Sequence, residues 1–195
     1  MKILVAGVGN IFLRDDGFGV AVARHLADAD LPEQAQVADF GIRGIHLAYE
    51  LTSGGYDLTI LVDATARGGA PGTVYVLEPP PELQRGAALV DAHALTPETV
   101  LALAGTFGGG AGQVLIVGCE PADTSPGMEL TPPVADAVPR AAALVADLID
   151  QHIGQDLGQD LGQDIHKRVD KRVDADHTPA GTPTRSPAQQ EERTC

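Results

Sequence analysis

The chain has 195 residues, of which 44% are hydrophobic, and a formal net charge of -14 at pH 7. This length and apolar content are sufficient for one well-buried core, so a single folded domain is expected. The acidic excess argues against nucleic acids and anionic membranes as partners, because both carry charge of the same sign.

The first predicted strand, at residues 2–7, leads into a glycine loop and an acidic pair. The loop is Gly7-Val8-Gly9-Asn10, and four residues later the chain continues Asp15-Asp16-Gly17. This layout is typical of a nucleotide-binding βα turn. Two carboxylates at a helix N-terminus would, however, compete with a phosphate for the free N–H groups. The acidic pair therefore favours a cation over a phosphate. The same apolar N-terminus lacks the features of a signal peptide, so we interpret it as a strand.

The rest of the first 150 residues alternates between strand and helix patterns. Further strands are predicted at 35–39, 58–63, 73–78 and 113–118, and helices at about 17–29, 44–53, 97–105 and 132–152. Strand runs that are almost entirely apolar are typical of strands covered on both faces. The alternation predicts an α/β fold with a doubly wound, mostly parallel five-stranded sheet flanked by helices in three α/β/α layers.

Two helix starts carry a capping signal. Thr96 precedes Pro97 and Thr131 precedes Pro132. A hydroxyl residue before a proline at the first helical position predicts that each threonine caps its helix.

The composition changes after about residue 153. A Gly-Gln-Asp-Leu unit recurs with a period of four from Gly154, and a Lys-Arg-Val-Asp unit is duplicated from Lys167. Such short repeats are typical of low complexity. We therefore expect a domain at 1–152 and a disordered tail at 153–195.

Cysteine usage and hydropathy indicate the cellular compartment of the protein. Cys119 and Cys195 have neither the number nor the spacing of a disulfide framework or a zinc site. No run approaches eighteen uninterrupted apolar residues. A cytoplasmic protein is the simplest expectation.

Ligands of open parallel sheets bind where the strands end, so polar residues at those ends are the candidates for a site. Asp16 follows the first strand, Asp63 ends the third, and His93 lies before the helix predicted to begin after Thr96. Two carboxylates and an imidazole form a plausible ligand set for a divalent transition metal.

Each candidate also has an ordinary structural interpretation. An aspartate at a helix start is often a cap, which applies to Asp15 and Asp16 alike. Asp63 could simply end its strand, and a single loop histidine such as His93 is more often exposed than a ligand. Glu120 is predicted to begin a turn with Pro121 rather than to support the site.

An ordered set of motifs spans roughly the first 150 residues. In chain order these are Gly7-Val8-Gly9-Asn10, Asp15-Asp16-Gly17, Asp63, Ala70-Pro71-Gly72-Thr73, His93, and Gly118-Cys119-Glu120-Pro121 followed by Leu130-Thr131-Pro132. Together they resemble the nickel-iron hydrogenase maturation endopeptidases. The resemblance implies a doubly wound α/β fold. It also implies removal of a C-terminal peptide from the hydrogenase large-subunit precursor once nickel has been inserted.

The resemblance also implies roles for particular residues. The metal-contacting positions of that family match Asp16, Asp63 and His93, which are thereby the expected catalytic residues as well. The segment containing Asp39, Gly41 and Gly44 matches a glycine-rich loop linked to substrate recognition. Within it Phe40 and Ile42 depart from the version with a further glycine and a threonine.

The function that follows is a nickel-recognising peptidase whose metal arrives with the precursor rather than as a bound cofactor. The metal, or a water held by one of the acids, would activate the attack; alternatively Asp16 and Asp63 share general acid and base work. Two other classes remain open. A non-enzymatic nickel-binding accessory protein would use the same ligands, and a dinucleotide-binding oxidoreductase would use the glycine loop with Asp39 on the ribose.

Overall fold

The computed structural model describes residues 1–80, 96–108 and 112–155. One compact unit spans Met1–Gly154. The last described helix includes residues 153–155, and the rest of the predicted tail, 156–195, lies outside the described residues. Within the described ranges no helix has both the length and the apolar character needed to cross a membrane.

The elements follow the predicted alternation closely. The strands are β1 (Ile3–Val8), β2 (Ala35–Gly41), β3 (Leu58–Ala64), β4 (Val74–Leu77) and β5 (Gln113–Cys119). A 3-10 helix at Arg14–Gly17 precedes the α-helices, which are α1 (Phe18–Ala27), α2 (Gly44–Ser53), α3 (Pro97–Thr106), the short α4 (Pro132–Ala135) and α5 (138–155).

The sheet has the strand order β2-β1-β3-β5-β4. Its first four strands run parallel, and β4 pairs antiparallel with β5. The chain moves outward from β1 to β2 and then returns past β1 to β3, so the winding reverses between β1 and β3. Such a reversal opens a crevice at the carboxyl ends of the two strands, which is where ligands bind in open α/β sheets.

Alternate residues of the central strands enter two separate cores. Ile3 and Val5 pack with α1 and α5 on one face, whereas Leu4 and Ala6 pack with α2 and α3 on the other. Because successive side chains of a strand point to opposite faces, both sets must be apolar. The predicted mostly parallel five-stranded sheet in three layers is confirmed.

The helix predicted at 132–152 is interrupted. The structure has α4 at Pro132–Ala135, a two-residue turn, and then α5. Pro139 explains the break, because it has no N–H to bond the carbonyl of Ala135 and is favoured in the first turn of a new helix. The single-helix prediction was wrong at this point, and Pro139 was the overlooked signal.

The start of α1 is pressed against the two central strands through a glycine. A Cβ built on Gly19 would lie 2.0 Å from the carbonyl oxygen of Val62 and 2.4 Å from that of Val8. No side chain fits at this distance, so close approach of α1 to β1 and β3 requires glycine at position 19.

Gly19→Ala is therefore expected to lower the free energy of unfolding by about 3 kcal/mol, because the methyl group overpacks a backbone contact that cannot yield cheaply. The matched control is Gly154→Ala, since a Cβ on this other helical glycine meets nothing within 4 Å. Urea unfolding followed by circular dichroism measures both variants. Equal stabilities of the two variants would contradict the packing argument.

Candidate functional site

Asp16 and Asp63 line the same cavity at the carboxyl ends of β1 and β3. Asp16 lies on the 3-10 helix that follows β1, and Asp63 is the penultimate residue of β3. The cavity has a volume of about 290 Å³ and is also lined by Gly9, Gly41 and Thr96. The structure thus brings two of the three predicted site residues together at the point where the winding of the sheet reverses.

Gly9 allows the two acidic segments to approach each other. Its φ is +120°, and a Cβ there would lie 1.8 Å from the carbonyl oxygen of Asp16 and 3.6 Å from Oδ1 of Asp63. Any other residue would be strained and would clash with the backbone of the 3-10 helix. The glycine therefore allows the 3-10 helix that carries Asp16 to lie against the end of β1.

The glycine loop itself does not present its N–H groups to an anion. The amide of Asn10 donates to Oδ2 of Asp16 at 2.7 Å, and the amide of Phe12 donates to Oδ1 of Asn10 at 3.0 Å. A dinucleotide site would need such donors for a pyrophosphate. The chain's own side chains occupy them, which removes the basis for the oxidoreductase interpretation.

Asp15 has a different role from its neighbour, because its side chain is fully buried. Its carboxylate accepts hydrogen bonds from the amides of Ala122, Asp123 and Thr131 at 2.7 to 2.9 Å, and from the hydroxyl of Thr131 at 2.8 Å. The 3-10 helix that contains Asp16 is thereby tied to the segment that follows β5.

These bonds also account for the fate of the Thr131 hydroxyl. The helix α4 begins at Pro132 as predicted, but no side chain caps it, so the expected capping role of the Thr131 hydroxyl was wrong. The hydroxyl donates to Asp15 instead. Thr96 does cap α3 as predicted, accepting a bond from the amide of Thr99 at 3.3 Å.

The hydrogen bonds keep Asp15 ionised. Burial by itself would raise the pKa of this carboxyl, but the backbone bonds from Thr131, Asp123 and Ala122 and the Thr131 hydroxyl outweigh it and set the pKa below the ordinary 3.8. A buried carboxylate that accepts four bonds is a structural anchor, and it leaves Asp16 as the acid of the pair that lines the cavity.

Glu120 anchors the segment that follows Asp63. It is only 5% exposed, and its carboxylate accepts bonds from the amides of Arg67 and Gly68 at 2.8 to 3.1 Å and from the hydroxyl of Tyr75 at 3.0 Å. The chain leaving β3 is thereby held beside the end of β5. The prediction that Glu120 begins a turn was wrong, since its side chain binds distant backbone that no local pattern reveals.

A second cavity, of about 240 Å³, adjoins the first. The two share Gly9, Asn10, Gly41 and Ile42 in their walls. Of the residues predicted to recognise substrate, Gly41 lines both cavities and Asp39 lines the second, where its carboxylate pairs with Arg24 at 3.3 Å. Gly44 is the buried first residue of α2 and is not among the lining residues of either cavity.

The third predicted ligand, His93, lies outside the described residues. Among the residues that are described, no group of three histidine, cysteine, aspartate or glutamate side chains is placed to hold a metal ion. Asp16 and Asp63 are the two predicted ligands that lie within the described residues, and they line one cavity.

Cys119 is not a candidate nucleophile. Burial is the main reason that the pKa of its thiol rises to about 11, and the negative charge of Asp15 adds to the effect. The thiol is completely buried and remains protonated at neutral pH. Carboxylates rather than this cysteine are the groups available for chemistry at the strand ends.

Most of the chain matches a recognised family of sequences. The family model described as hydrogenase maturation protease matches residues 20–148. The chain is 32% identical over 161 residues to coenzyme F420 hydrogenase subunit delta of Methanothermobacter thermautotrophicus, an alignment that covers 75% of this chain and 93% of the relative. It is 33% identical over 138 residues to the hydrogenase 2 maturation protease of Escherichia coli, covering 69% and 82% of the two chains.

A solved structure supports the same family assignment. The hydrogenase maturating endopeptidase HybD from E. coli superposes with a TM-score of 0.64 at 28% sequence identity. The match covers 78% of this chain and 94% of that one. Sequence and fold therefore agree on the family.

Asp15→Asn is expected to reduce the free energy of unfolding at pH 7 by about 3 kcal/mol. The reason is that the NH2 group of asparagine would face N–H and O–H donors whose hydrogen bonds the carboxylate accepts. Since the pKa of Asp15 in the folded state lies below the ordinary 3.8, this contribution is fully present well above the ordinary value and is lost as the pH falls toward and through the folded pKa.

Urea unfolding of the wild type and Asp15→Asn from about pH 3 to about pH 8 tests both the loss of stability and its dependence on pH. The difference between their free energies of unfolding should be constant above about pH 5 and shrink below it. Asp30→Asn serves as the control, because Asp30 is exposed. A difference that persists unchanged at the acidic end would contradict the anchoring role.

Proposed function

Because the chain belongs to the hydrogenase maturation protease family and is a peptidase, we propose that it removes a C-terminal peptide from the nickel-loaded precursor of a nickel-iron hydrogenase large subunit. The observation that carries the proposal is the cavity at the ends of β1 and β3, which Asp16 and Asp63 line together. The E. coli relatives are a maturation protease and a maturating endopeptidase, which supports the same reaction class.

The cavity has the chemistry expected of a cation site. Two carboxylates that share one cavity repel each other, and a divalent cation between them would relieve that repulsion. Only one oxygen of Asp16 accepts a hydrogen bond from the described residues. In our proposal the second oxygen, together with Asp63 and His93, completes the coordination of nickel already seated in the precursor.

This arrangement would couple cleavage to metal loading. Three protein ligands leave part of the coordination shell of a transition metal open, so the enzyme gains binding energy only when the precursor supplies both the metal and its remaining ligands. A precursor without nickel would bind less well and would not be cut. Processing would therefore follow nickel insertion.

The acids would also take part in the hydrolysis. Water adds to the scissile carbonyl while a carboxylate of the site accepts its proton, and the departing amine takes up a proton as the C–N bond breaks. The nickel of the precursor polarises the carbonyl or the attacking water in this scheme. If Asp16 and Asp63 worked instead as an acid and base pair without the metal, nickel would be dispensable.

Asp16→Asn and Asp63→Asn are each expected to lower the rate of processing by about 100-fold or more, because an amide neither accepts the proton nor binds the cation as strongly. Asparagine keeps an oxygen acceptor, so the bond from Asn10 to position 16 can remain. Mass spectrometry of the precursor, with nickel and without it, measures the loss of the C-terminal peptide.

The control for this experiment is Asp30→Asn, an exposed acid remote from both strand ends. His93→Gln tests the third ligand in the same assay. If both aspartate variants processed the precursor at the wild-type rate, the assignment of Asp16 and Asp63 to the active site would be wrong. Equal processing of the nickel-loaded and the nickel-free precursor would contradict nickel recognition, but it would remain consistent with peptidase activity.

Purified without added metal, the protein is expected to hold well below one nickel ion per chain, because its own ligands fill only part of the coordination shell. Elemental analysis and equilibrium dialysis against nickel measure this. Tight stoichiometric binding by the isolated protein would instead favour a nickel-binding accessory role.

A further inference from the structure

The second cavity is predominantly apolar, unlike its neighbour. Phe12, Val20, Phe40 and Ile42 are among the residues that line it. Two of them are unusually exposed for large apolar residues, Phe12 at 60% and Ile42 at 58%. Exposed apolar groups that line a concave surface mark a place where another apolar group binds.

The charged groups around this cavity already have hydrogen-bonding partners. Arg24 contacts the carboxylate of Asp39 at 3.3 Å, and the guanidinium of Arg43 donates to the carbonyl oxygens of Asp39 and Phe40. A charged ligand would have to compete with these partners for each group. The pairing therefore favours a neutral, apolar occupant.

The size and position of the cavity restrict the occupant further. Its volume of about 240 Å³ is below the range of roughly 300–1,000 Å³ typical of small-molecule sites, but it accommodates one large side chain. Gly9, Asn10, Gly41 and Ile42 form a wall common to this cavity and the one that holds Asp16 and Asp63. A peptide bond placed between the acids would thus have a neighbouring residue beside the apolar cavity.

We propose that this cavity is a specificity subsite that binds one bulky apolar side chain of the precursor, within two residues of the bond that is cut. The inference rests on the proposed function and identifies the feature of the peptide that the enzyme selects besides the metal. Phe12 is the specificity-determining residue best suited to a test, because it lines the apolar cavity and not the acidic one.

The test uses the nickel-loaded large-subunit precursor of the source organism, whose cleaved bond is first located by mass spectrometry. The two residues on each side of that bond are replaced one at a time by Leu and by Ser. At one of these positions the wild-type enzyme is expected to cut the Leu form about tenfold faster than the Ser form, a typical discrimination for an apolar pocket. In Phe12→Ser this ratio should fall below about threefold.

A ratio of rates measured on one enzyme variant is independent of how much of that variant is folded. Phe107→Ser provides the matched control, because Phe107 is 52% exposed and directly follows α3 as its C-cap. It lies about 15 Å along that helix from Thr96, which lines the acidic cavity. This variant should keep the full wild-type ratio.

The outcomes separate the two proposals. A wild-type enzyme that processes the precursor without preferring Leu at any of the four positions overturns the subsite and leaves the function intact. Retention of the tenfold ratio in Phe12→Ser, or its equal loss in Phe107→Ser, overturns the subsite as well. A wild-type enzyme that cuts none of the precursors overturns the proposed function, and the subsite with it.

Discussion

The buried carboxylate of Asp15 is the interaction on which the geometry of the site depends. It joins the 3-10 helix after β1 to the segment after β5 through three amides and one hydroxyl. Consecutive residues of a 3-10 helix point about 120° apart, so fixing Asp15 inward directs Asp16 elsewhere. Asp16 lines the cavity shared with Asp63. One acid of the pair therefore provides the rigidity that lets the other face a ligand.

Glycine and carboxylate act together at this edge of the sheet. Gly19 lets α1 approach β1 and β3, and Gly9 lets the 3-10 helix approach the end of β3. Glu120 holds the chain that leaves β3 in the same way that Asp15 holds the chain that leaves β1. Both anchors are carboxylates that accept bonds from backbone amides, which are strong bonds when the acceptor is ionised. The cavity walls are thus preorganised, as hydrolytic chemistry requires.

The central strands were predictable because they are buried on both faces and so carry nearly continuous apolar runs, as in Leu58–Ala64. The position of Asp63 followed from the same pattern, since parallel strands bring their carboxyl ends together. The division of labour between Asp15 and Asp16 was not predictable, because the partners of Asp15 lie more than 100 residues away in sequence. A local pattern records that two acids are adjacent, but not which one long-range contacts will bury.

The use of the loop amides distinguishes this edge of the sheet from a nucleotide site. In a nucleotide-binding βα turn these N–H groups face a phosphate. Here the amide of Asn10 is bonded to Asp16, so the loop presents a carboxylate in place of a donor. The backbone route from β1 into α1 can be the same while the sign of the charge toward the ligand is reversed. Because Asp63 lines the same cavity, the reversal is reinforced from the neighbouring strand, which supports our proposal that the site binds a cation.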